Sequence, residues 1–148
     1  MVLKQPWTLL KCLPAVFVWP WPIPRSETPD EISLWNERGR ALASRGDYGS
    51  AILAFNKALE ISPQHCATWN NKGVVFGLRK EYDRAVETFD TALRYGCDND
   101  PALWCNRGLA LFNLKRYEEA MESYDRALQI RPDFAVAWQN KGDLLMAQ

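Results

Sequence analysis

The chain has no net charge to offer, no unbroken apolar run and only one histidine. Its 148 residues carry 18 basic and 18 acidic side chains. That balance argues against the net basic face that nucleic-acid partners usually require, so no nucleic acid is expected. The most apolar stretch, residues 1–24, is interrupted by Lys11 and by prolines at 6, 14, 20, 22 and 24. A membrane span needs about 20 continuous apolar residues, so membrane association is not expected either. Cys12, Cys66, Cys97 and Cys105 show no CxxC spacing, and the one histidine, His65, merely adjoins Cys66. A metal site needs three or four convergent ligands, so neither metal nor cofactor is expected. His65 reads as a solvated loop residue, and the thiols read as reduced and structural, as inside a cell. The sequence has no glycine-rich phosphate loop, HExxH or GxSxG, and no nucleophile–base set, so the chain is not expected to be an enzyme.

What the sequence does contain is a period. Trp35, Trp69, Trp104 and Trp138 are spaced by 34, 35 and 34 residues, and glycine follows each four places on, at Gly39, Gly73, Gly108 and Gly142. Tyr48, Tyr82 and Tyr117 keep the same step, as do Ala51, Ala85 and Ala120, then Phe55, Phe89 and Tyr124, then Ala58, Ala92 and Ala127. Pro63 and Pro132 close the first and third units, where the second has Cys97. The combined register resembles the tetratricopeptide repeat, a helix–turn–helix unit of about 34 residues.

The resemblance covers units at residues 32–65, 66–100 and 101–134, with a partial fourth at 135–148. It implies an all-α fold: a right-handed α-α superhelix, or solenoid, of three helical hairpins plus one terminal helix. Residues 29–148 are expected to form this domain, and residues 1–28 a poorly ordered Trp/Pro-rich apolar leader, extended where Trp19 to Pro24 favour polyproline dihedrals. Lys4 and the run from Ala15 to Trp19 imitate two parts of a secretory signal, but no A-x-A-like cleavage site follows. The expected location is the cytoplasm.

Local signals set the boundaries. Thr28-Pro29-Asp30-Glu31 is a capping-box pattern that starts a helix near Pro29. Gly46 and Asp47 form the turn to a second helix over about Tyr48 to Ile61, which Ser62-Pro63 ends. Lys80-Glu81 and Lys115-Arg116 stand at the equivalent turns. Gly96 stops the fourth helix, and Asp100-Pro101 starts the fifth. The mid-helix glycines predict a close approach by the partner helix, with Ala51, Ala85 and Ala120 opposite them and the aromatics between units.

Stacked repeats make a concave groove. By register its candidate lining is Asn36, Arg40, Asn70, Asn71, Val74, Leu78, Cys105, Asn106, Leu109, Phe112, Asn113 and Asn140. Asn71, Asn106 and Asn140 are equivalent places, and an amide ladder can hold a peptide backbone. Val74, Leu78, Leu109 and Phe112 make the centre apolar. The resemblance implies a non-catalytic interaction module or scaffold with a protein or peptide partner. Alternatives are the interaction fragment of a larger enzyme or transport assembly, and an apolar-ligand carrier. Some relatives hold acidic chaperone tails in a basic clamp; the matching places here are Asn36, Arg40, Asn71, Ala102 and Asn106, of which only Arg40 is basic. The uncovered last helix, the leader, or both suggest self-association, and the alternative is a monomer with a disordered leader.

Overall fold

The computed structural model describes residues 29–148. These fold as seven α-helices without a strand: α1 (Pro29–Ser44), α2 (Tyr48–Ile61), α3 (Cys66–Leu78), α4 (Tyr82–Arg94), α5 (Pro101–Asn113), α6 (Tyr117–Ile130) and α7 (Ala135–Ala147). α1–α2, α3–α4 and α5–α6 are hairpins, each packed on the next, with α7 on α5 and α6. The architecture is the all-α repeat solenoid expected from the register. The sequence readings of residues 1–28, including the leader's extension, the signal-like run, Thr28 as a cap and the leader's part in self-association, lie outside the described residues.

The turns follow local chemistry. The Asp47 carboxylate accepts from the Ser50 amide at 3.1 Å and caps α2. Gly46 has φ +81°, the left-handed conformation that closes a helix. Lys80 and Lys115 occupy the same turn place with φ of 60°, where an L side chain costs about 1–2 kcal/mol. Ser62 and Arg131 are extended, as residues before proline must be. Gly96, with φ +88°, ends α4, and Asp100 accepts from the Ala102 amide at 2.9 Å to start α5.

Each hairpin is keyed by an aromatic ring against a glycine. A Cβ built on Gly39, Gly73 or Gly108 would lie 2.4, 2.4 or 2.6 Å from a ring carbon of Phe55, Phe89 or Tyr124. The glycines' counterparts are therefore the aromatics of the same unit, not Ala51, Ala85 and Ala120, and this corrects the sequence reading. Those alanines are buried in the cores that the hairpins share. Gly142 has nothing within 4 Å of its Cβ position.

Two polar contacts repeat between units. The indole nitrogens of Trp69, Trp104 and Trp138 donate to the carbonyls of Pro63, Asp98 and Pro132, at 2.6, 2.8 and 2.8 Å. On the outer side Arg107 pairs with Asp90 at 2.7 Å and Lys141 with Asp125 at 2.6 Å. The equivalent first junction sets Lys72 beside Asn56, which is neutral. Burial, then the Arg84 charge, hold the Lys72 ammonium below its ordinary pKa. Asn56→Asp is expected to complete the third pair and raise the unfolding free energy by about 0.5–1 kcal/mol in a urea titration. An unchanged or lower value would mean that the junction chemistry is not equivalent.

One expectation about the cysteines is overturned. Cys66 and Cys97 form a disulfide, with Cα atoms 5.5 Å apart across a sequence separation of 31. Cys66 is the first residue of α3, and Cys97 takes the place of the unit-closing proline, so the bond closes unit two on itself. Thiol chemistry therefore gives no support for a reducing compartment. Cys105 is buried and reduced; burial pushes its thiol pKa up, against a smaller opposing effect from the Asn140 amide.

Candidate functional site

The first helices of successive units are neighbours: α1 with α3, α3 with α5, and α5 with α7. Their shared face carries the concave groove. Two glycines with different duties lie on α3. Gly73 is filled by the Phe89 ring, whereas Gly77 has open space beyond its Cβ position. That opening forms part of a cavity of about 230 Å³, walled by Val74, Leu78 and Tyr82 on one side and by Asn106, Leu109 and Asn113 on the other. Val74, Leu78 and Leu109 are 37, 55 and 44% exposed, so the apolar wall faces solvent. A second recess of about 40 Å³ lies on the far side of Leu109, walled by Phe112, Tyr124, Asn140 and Asp143. Phe112 is half-buried and tilts against Tyr117, with ring centroids 5.7 Å apart. Burial first, then the neighbouring Cys105 and Asp143, push the Tyr124 hydroxyl well above its ordinary range.

The asparagines are connected sideways. Asn71 Nδ2 donates to Asn36 Oδ1 at 3.0 Å, and Asn106 Nδ2 to Asn70 Oδ1 at 2.9 Å. Asn140 Nδ2 points at Cys105 Sγ at 3.5 Å. Each amide thus spends one hydrogen on the preceding unit and keeps its carbonyl oxygen and second hydrogen. Asn113 Nδ2 donates to the Leu109 carbonyl of its own helix at 2.8 Å. Cys105, expected on the groove surface, is 2% exposed and has no surface to give a ligand. Arg40 is exposed on α1.

Two residues that the sequence reading left aside belong to this network. Thr68, fully buried, donates its hydroxyl to Asn36 Oδ1 at 3.1 Å. Its oxygen lies 2.6 Å from His65 Nδ1. The His65 imidazole, the Thr68 hydroxyl and the Asn36 amide thus form one hydrogen-bonded chain. His65 is half-buried at the start of α3, which corrects its reading as a solvated loop residue. Among the described residues no three His, Cys, Asp or Glu side chains gather as a metal site would need, and no helix is long and apolar enough to cross a membrane.

A stack of α-hairpins with an open concave face defines a helical repeat protein. Family models of the tetratricopeptide repeat match residues 32–65 and 101–134, the first and third units of the register. The chain belongs to the tetratricopeptide repeat family. Its fold is similar to the first TPR domain of human RPAP3, with TM-score 0.76 and 22% identity, covering 81% of this chain and 94% of that one. It is equally similar to the first TPR of Spaghetti (RPAP3), solved bound to the HSP90 peptide SRMEEVD, with TM-score 0.75, 22% identity and the same 81 and 94% coverage. The Sgt2 TPR domain from Aspergillus fumigatus gives TM-score 0.75 and 22% identity over 84% of this chain and 83% of that one. No curated protein matches the chain in sequence.

Proposed function

We propose that the chain is a non-catalytic protein-interaction module whose groove takes a peptide segment. The observation that carries this reading is the 230 Å³ cavity, with exposed Val74, Leu78 and Leu109 beside the Asn106 amide. A peptide side chain would fill the cavity, while the remaining hydrogen and carbonyl of Asn106 hold the backbone. The bound HSP90 peptide of the Spaghetti domain supports the general mode. Its acidic character does not carry over, because Arg40 is the single basic residue among Asn36, Arg40, Asn71, Ala102 and Asn106.

Gly77→Leu tests this. The new side chain enters open space, so the fold tolerates it and helix propensity favours it. Peptides selected on the wild-type chain from a displayed library of random twelve-residue sequences are expected to bind Gly77→Leu about tenfold more weakly or worse, with circular dichroism unchanged. Undiminished binding to the folded variant would end the groove reading.

A second reading, self-association through α7, is favoured by exposed Val136, Trp138, Leu145 and Met146 and by the unfilled space at Gly142. Light scattering is expected to give a dimer mass at high micromolar concentration that falls to the monomer in Leu145→Glu. A wild-type monomer at that concentration would exclude it.

A further inference from the structure

We infer that the groove contains a cation subsite at its α7 end, formed by Asp143, Asn140 and Phe112, that receives a lysine or arginine side chain of the bound peptide. The inference rests on the groove reading above and specifies the partner's chemistry.

One row of the register runs along the concave face, five residues after each tryptophan. It reads Arg40, Val74, Leu109, Asp143. Its central members wall the large cavity together, and Leu109 and Asp143 wall the small recess together. The two recesses therefore share Leu109 as a partition and differ in chemistry. The large one is lined mainly by apolar groups. The small one is lined by a carboxylate and an amide together with the Phe112 and Tyr124 side chains.

The acceptors there are uncommitted. Lys141, two residues before Asp143, is held by Asp125 on the outer side at 2.6 Å and lies over the Trp138 ring. Asp143 makes no ion pair among the described residues. Asn140 turns its Nδ2 toward Cys105, which leaves its carbonyl oxygen to accept. An apolar side chain lowered into this recess would strip water from Asp143 and return nothing. A lysine or arginine meets each wall: its methylene stem lies along Leu109 and Phe112, and its charged head reaches Asp143 and the Asn140 oxygen. The Phe112 face adds a cation–π contribution. The recess, about 40 Å³, is much smaller than the apolar cavity on the other side of Leu109.

Spacing then gives a motif. Packed helices lie about 8–10 Å apart, and a peptide in the polyproline form advances about 3.1 Å per residue with side chains three apart on the same side. A side chain in the large cavity and one in the small recess are thus about three residues apart, an apolar residue and a basic residue with two between.

The test is selection of the same random twelve-residue library on wild type, Asp143→Asn and Asp143→Lys, followed by affinity measurement of the enriched peptides. Wild type is expected to enrich lysine or arginine about three residues from a large apolar residue. Asp143→Asn should lose that preference, and Asp143→Lys should enrich acidic residues instead. Replacing the basic residue of a selected peptide with glutamine should weaken binding about fivefold on wild type and leave it unchanged on Asp143→Asn. Peptides that bind wild type, fail on Gly77→Leu and show no basic preference would remove the subsite and leave the groove standing. Enrichment equal on wild type and Gly77→Leu, or no enrichment at all, would remove both.

Discussion

Gly73→Leu is expected to lower the unfolding free energy by about 3 kcal/mol, at the upper end of what overpacking costs. The reason is geometric. A Cβ on Gly73 would stand 2.4, 2.5 and 2.9 Å from three carbons of the Phe89 ring. That ring is 1% exposed, so it cannot swing into solvent, and its neighbours form a continuous core through α4, α5 and α6. Glycine at mid-helix costs about 1 kcal/mol against alanine, and the ring contact offsets that cost. Gly142 occupies the same register place without a ring against it. Gly142→Leu is therefore expected to be neutral or to stabilise by up to about 1 kcal/mol. Urea titrations of the two variants should move in opposite directions. Adding Phe89→Ala to Gly73→Leu should restore part of the loss, because leucine then fills the vacated space. Similar losses for both single variants would refute the ring-in-glycine key.

Breaking the Cys66–Cys97 bond is expected to cost about 3–4 kcal/mol, the chain-entropy value for a closed loop of this size. Titrations with and without reductant, and of Cys66→Ser/Cys97→Ser, should agree in midpoint shift. Alkylation of the unfolded chain before and after reduction should differ by two labels. If reduction leaves the midpoint unchanged, the bond does not hold the hairpin. The effect should be centred on unit two, since both cysteines belong to it, and α1–α2 should unfold at nearly the same denaturant concentration in either redox state. That local character is what a stack held by nearest-neighbour contacts predicts.

The register made the hairpins legible, because tryptophan, glycine and the aromatics recur at one period, and α2 covers the Tyr48–Ile61 span read from Gly46-Asp47 and Ser62-Pro63. The direction of the aromatics was not legible. Ala51 and Phe55 are four residues apart on one helical face, so either could oppose Gly39 by spacing alone; ring size and burial decide for Phe55. The asparagines share a column of the register, but the bonds run between columns, from the second place after one tryptophan to the first place after the preceding one. Helices stacked with an offset produce that shift, and a sequence column carries no offset. The disulfide was in reach: Cys66 opens a unit and Cys97 closes it, and a hairpin brings its ends together. The groove's apolar centre was visible in Val74, Leu78 and Leu109, but the openness at Gly77 was not: Gly77 stands outside the glycine column that holds Gly73, and a lone mid-helix glycine does not say whether a neighbouring side chain fills its space.

The sideways amide bonds give the array an order as well as cohesion. Each junction needs a donor on the later unit and an acceptor on the earlier one: Asn71 to Asn36, Asn106 to Asn70, Asn140 to Cys105. Unit one has Glu37 at the donor place, and a carboxylate can only accept. Moved behind another unit, it would face an acceptor with an acceptor until the opposing amide turned over. The units are alike in shape but not interchangeable in polarity, so a shuffled chain would keep its helices and lose its joints.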